Sequence, residues 1–188
     1  MPRLKTIAAV LLAATLPALA QAADFNLTGG SGSTAKVTVA SGGITLNVTG
    51  PSLGTSLDLT RSTGGLGVST GLLDLPGIGD KEAVTLTFSQ AVNLTNLKLA
   101  EWDLSDKATL SWAGGSVNLA GDALVATTGN EPLSNVVGSV FTLTGTGALT
   151  TFRLNAVTAT AVPEASTYAL MGLGLAGIAA VRRRQKSA

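Results

Sequence analysis

The stretch 83-AVTLTFS-89 alternates without a fault: Val84, Leu86 and Phe88 stand on one side, Thr85, Thr87 and Ser89 on the other. An extended backbone turns successive side chains to opposite faces, so this is a strand with one face in a core and one in water. A 3.6-residue period would place Val84 and Leu86 on opposite sides of a helix and dissolve the apolar face. The same period of two runs outward from this stretch. In 107-KATLSWAGG-115 it aligns Ala108, Leu110 and Trp112, and in 150-TTFRLNAVTATA-161 it sets Phe152, Leu154 and Ala156 against Thr151, Arg153 and Asn155. Shorter runs of the same kind occupy Lys36–Ala40, Ile44–Thr49, Val117–Ala120 and Val140–Thr144. The breaks between runs are turn-forming: "GGSGS", "SGG", "AGG" and "TGN". No segment between Asp24 and Ala161 shows a helical stripe. The expectation is an all-β fold of about eight to ten strands, an antiparallel, jelly-roll-like β-sandwich. The abundant Thr suits the solvated face of such a sheet.

Composition narrows the chemistry. The 188 residues contain no Cys and no His. That removes disulfides, thiolate metal sites, and the commonest general base and transition-metal ligand. The net charge of +1 conceals an uneven distribution. Arg3 and Lys5 lie at one end and Arg182, Arg183, Arg184 and Lys186 at the other, while residues 24–161 hold six cations against ten acids. Nucleic-acid binding requires clustered cations that displace counterions, and this central region has none.

Both ends read as addresses rather than as fold. Residues 1–22 combine a basic start, an apolar stretch from Ile7 to Leu16 and small residues at the exit, which is the pattern of a secretory signal peptide. Ala20 and Ala22 each suit a small-x-small cleavage site, and the expected cut after Ala22 leaves Ala23 as the first residue of the ectodomain, 23–161. At the other end, Ser166 to Val181 is a run of 16 uncharged residues followed at once by Arg182, Arg183 and Arg184. As a helix it is about 24 Å long, short against a bilayer core of about 30 Å. The expectation is a single transmembrane helix over about 166–181, with the basic tail 182–186 held on the cytoplasmic side.

Val162-Pro163-Glu164-Ala165-Ser166-Thr167, the apolar run and the basic tail resemble, in that order, the PEP-CTERM sorting signal of Gram-negative bacteria. Ala165 stands where that family carries a second Pro. The resemblance covers residues 162–188 and implies recognition by an exosortase-type membrane protease. It also implies a transient stay in the inner membrane, then delivery to the cell surface or extracellular matrix, in company with exopolysaccharide and biofilm machinery. On that basis the expected function is a structural or adhesive surface protein and not an enzyme, with no cofactor.

Two other classes rest on particular side chains. Asp74, Asp80 and Glu82 form one acidic group, and Glu101, Asp103 and Asp106 another. Oxygen-rich loops are what Ca²⁺ requires, but neither group has the spacing of a known calcium loop, so solvated turn acids are the competing reading and no metal is assigned. Paired carboxylates can also drive glycoside hydrolysis, although nothing in the spacing makes these converge. Trp102 is out of step with Leu97 and Leu99. Either a bulge near Ala100 returns it to the core, or it is exposed beside acids and able to stack on a sugar of a bound polysaccharide.

Overall fold

The computed structural model describes residues 21–50, 58–69, 77–163 and 165–186. The strands are β1 (Ala22–Asn26), β2 (Gly32–Thr34), β3 (Lys36–Ser41), β4 (Ile44–Thr49), β5 (Asp58–Ser62), β6 (Gly65–Ser69) and β7 (Ile78–Gly79). They continue with β8 (Ala83–Trp102), β9 (Lys107–Trp112), β10 (Gly115–Ala120), β11 (Thr127–Gly145) and β12 (Thr151–Ala161), and a helix α1 (Ala165–Lys186) follows. All strand pairs are antiparallel. The strands belong to one compact unit, Ala20–Val162, and α1 to another.

The opening stretch is the first third of β8, which is 20 residues long. At about 3.3 Å per residue a straight β8 would reach about 66 Å, whereas a domain of this size is only about 40 Å across. It therefore has to bend. Ser89, Gln90 and Ala91 are all exposed, which breaks the alternation, and the neighbour changes there. Before the bend β8 pairs with β4, Leu46 opposite Phe88 and Thr49 opposite Thr85; after it, β8 pairs with β12, from Val92 opposite Ala161 to Ala100 opposite Arg153. β11 follows β8 along its whole length and absorbs three register shifts in doing so. The pairing joins all twelve strands into one network, with β8 serving both β4 and β12.

The apolar faces anticipated from the alternation are buried: Val84, Leu86 and Phe88 on β8, Ala108 and Leu110 on β9, Phe152 and Leu154 on β12. Ala156 departs from the expected phase. The register of β12 against β8 slips between Leu154 and Ala156, so Val157 and Ala159 take over the core positions and Ala156 is only half-buried. Edge-to-face aromatic contacts knit the core across distant strands. Phe88 meets Phe25 of β1 at 5.5 Å and Phe141 of β11 at 5.7 Å between ring centroids. Each such pair is worth about 0.5–1.5 kcal/mol beyond the area it buries.

β1 begins at the expected signal-peptide junction. Ala20 lies outside the described residues, Ala22 pairs with Thr160, and Ala23 is buried opposite Ala159. The first strand of the domain therefore lies against the last one.

Candidate functional site

The described acids of both groups are engaged within the protein. Asp80 Oδ1 accepts the Gly147 N–H at 2.9 Å, and Glu82 Oε2 accepts the Gly79 N–H at 2.7 Å. Asp74 lies outside the described residues. In the second group Glu101 pairs with the buried Arg153, its Oε1 2.9 Å from Nε. Asp103 Oδ1 accepts both the N–H and the hydroxyl of Ser105, a local turn that holds its carboxyl below the usual range. Among the described residues, no cluster of three or more such side chains is placed to hold a metal. Ca²⁺ takes six to eight oxygens, and the described carboxylates that would begin such a shell are already engaged by backbone N–H groups, Ser105 and Arg153.

Asp106 has a role that spacing did not reveal. It is only 2% exposed. Its Oδ2 accepts the Asp103 N–H at 2.9 Å and its Oδ1 accepts the Thr151 N–H at 2.7 Å, so it clasps the β8–β9 turn to the start of β12. Burial pushes its pKa up, and the two N–H bonds only partly oppose that. Because the folded-state pKa is raised, the folded chain takes up this proton before the unfolded chain does. The contribution of Asp106 to stability therefore grows as the pH falls through its folded pKa toward the ordinary value of 3.8. The stability difference between the wild type and Asp106→Ala should be larger in mild acid than at neutrality, as read by urea unfolding. A difference that shrinks on acidification would mean that the N–H bonds, not burial, dominate.

Trp102 lies in the core at 1% exposure. Leu99 and Ala100 are both buried, Glu101 adopts a left-handed φ of 60°, and the register against β11 shifts between Thr127 and Gly129. This is the bulge near Ala100, and it returns Trp102 to the inner face. The indole meets Phe152 edge-on at 5.0 Å and donates Nε1–H to Glu131 at 2.8 Å. A ring so enclosed has no free face for a sugar, which removes Trp102 as a stacking platform.

The C-terminal signal grows directly out of β12. Ala161 closes that strand opposite Val92, and the next residue, Val162, is still tied in: its N–H donates to the Ala91 carbonyl at 3.0 Å. Pro163 is exposed and has no N–H to extend the ladder, and a residue before Pro is pushed toward extended backbone. Glu164 lies outside the described residues. Ala165, Ser166 and Thr167 form the first turn of α1, which runs to Lys186 and carries Tyr168, Leu170, Leu173 and Leu175 exposed. Arg182, Arg183 and Arg184 are exposed in its last turns, where cations complement the helix dipole. Residues 161–184 match the family model for the PEP-CTERM protein-sorting motif.

The chain carries a PEP-CTERM sorting motif. No curated protein matches the chain. The PEP-CTERM motif implies export, processing by exosortase, a membrane protease, and a secreted or surface fate. One expectation about it needs correction. α1 forms where the transmembrane helix was expected, but among the described residues no helix is long and apolar enough to cross a membrane. The helix continues through Arg182–Arg184 to Lys186, so four of its last five residues are cationic and the uncharged part is too short. The sequence reading also missed the partner of the PEP-CTERM motif within the domain. Ala91 holds Val162 through its carbonyl, a main-chain contact that leaves no trace in side-chain identity.

Proposed function

We propose that this protein is an exported, non-catalytic β-domain with a structural or adhesive role in an exopolysaccharide or biofilm matrix. The observation that carries the reading is the PEP-CTERM motif at residues 161–184. The change of neighbour along β8, from β4 to β12, supports reading the domain as a β-sandwich whose layers share this strand. In this account the precursor stays at the inner membrane only while the protease acts, since the short apolar run of α1 does not make a permanent anchor. The described carboxylates that would serve a calcium-binding or glycoside-active site are engaged by N–H groups, Ser105 and Arg153, which favours presence in the matrix over ligand chemistry.

The test is mass spectrometry of the protein recovered from the extracellular matrix. The expected species starts near Ala23 and ends within the motif, without Arg182–Lys186. Recovery with the basic tail intact, or only inside the cell, would defeat the proposal.

A further inference from the structure

Several strand edges in the β-domain lack a partner strand among the described residues, and most carry a feature that discourages one. β2 is three residues long and β7 two. β1 presents the exposed Asp24 and β3 the exposed Lys36. The opening half of β11 is interrupted by Glu131, Pro132 and the left-handed Asn135, with a register break from Pro132 to Val136. Short strands, charges, prolines and bulges are the devices that keep an edge from pairing with another chain. The outer edge of β10 has none of them. Gly115-Ser116-Val117-Asn118-Leu119-Ala120 is six residues long, uncharged and free of Pro, and it pairs on one side only, with β9.

The direction of its free groups follows from the neighbours. The Lys107 carbonyl accepts the Thr146 N–H and the Asp106 carbonyl accepts the Gly121 N–H, so odd-numbered β9 residues face β11 and even-numbered ones face β10. Leu110 and Ala108 are opposite Val117 and Leu119. Val117 and Leu119 therefore bond inward, and the main-chain N–H and C=O groups of Ser116, Asn118 and Ala120 point outward, away from the sheet. These three side chains are exposed as well.

We propose that the β10 edge is a homodimer interface, formed by antiparallel pairing with β10 of a second copy about a two-fold axis at Asn118. That register sets Asn118 against Asn118 and Ser116 against Ala120, so every outward group of one strand meets a complement on the other. A two-fold interface must match itself, and this strand does so with no like charges in opposition, which are destabilising across strands. A second feature points to the same partner. Leu104, Leu124 and Val125 are 52%, 89% and 72% exposed. The Leu104 N–H donates to the Ala123 carbonyl, which gathers these residues at the end where β10 finishes. An antiparallel second copy brings its own Trp112–Gly115 turn to that end, giving the apolar cluster a cover.

The absence of Cys supplies a direct test. In a hydrogen-bonded antiparallel pair the Cα atoms lie about 5.5 Å apart, within the usual disulfide range of about 4.4–6.8 Å. The full chain carrying Asn118→Cys, purified in mild detergent and gently oxidised, should become a covalent dimer. A Ser33→Cys control on the exposed β2 should not. In sedimentation equilibrium the wild type should be dimeric, while Asn118→Pro and Asn118→Lys should be monomeric with unchanged circular dichroism. Both lose the bond that Asn118 Oδ1 accepts from the Thr109 hydroxyl at 2.9 Å; beyond that, Pro removes an outward N–H, and Lys places two like charges face to face. A monomeric wild type, or association that survives both substitutions, would overturn the proposal; the latter would place the contact on α1 or another face. None of these outcomes depends on where the cell sends the protein.

Discussion

Replacing Pro163 and Glu164 together with Ala leaves the protein uncut and in the membrane fraction. The effect is expected to be close to all-or-none, because it removes an address rather than a fraction of an affinity. Pro163 ends the ladder of β12: the Val162 N–H still reaches the Ala91 carbonyl, and the next residue has no N–H to offer. With Ala at 163, both the break and the restriction on Val162 are lost, and the strand can run on toward α1. Glu164 supplies the acid of the motif immediately before the helix. Fractionation followed by immunoblotting checks this directly. Normal release of the double variant would remove these residues from any sorting role. Deleting Arg182–Lys186 is a useful companion, since it spares the Pro-Glu pair while removing the cations that resist translocation.

Trp102→Ala should cost about 3–5 kcal/mol of domain stability, the range for removing a large buried aromatic. The substitution empties the space against Phe152 and removes the Nε1–H donor to Glu131. Trp102→Phe removes less. It keeps a ring near Phe152 but loses the hydrogen bond, whose acceptor is partly exposed, together with part of the indole's volume, so its cost should exceed the roughly 1 kcal/mol of the bond alone and stay below that of the Ala variant. Urea unfolding of the exported protein measures both. A loss below about 1 kcal/mol for the Ala variant would contradict the close packing of this corner.

Trp102 also marks where reading the chain stops being enough. The break in alternation after Leu99 was visible, and it posed two outcomes: a bulge with a buried indole, or an exposed indole. Choosing between them required the partner strand, because a bulge exists only in the mismatch of β8 against β11. The phase of β12 shows the same limit. Phe152 and Leu154 obey the local period, and Ala156 fails it because a register slip against β8 intervenes. Asp106 was grouped with its neighbours by proximity in sequence. Its partner Thr151 is 45 residues away, which is why a structural clasp resembled part of an acidic loop.

The sequence by itself determined the β character of the domain, the positions of most strands and the sorting motif. Each depends on information only a few residues long: a period of two, turn-forming glycines, and a proline and an acid before an apolar run with a basic end. Tertiary structure decided which strands pair, where β8 changes neighbours, that Trp102 is enclosed, that the acids are engaged by backbone N–H groups and by Arg153, and that β10 has a partner strand on one side only among the described residues. These properties arise between segments brought together by burial, and a backbone hydrogen bond such as Val162 to Ala91 does not depend on which side chains its residues carry.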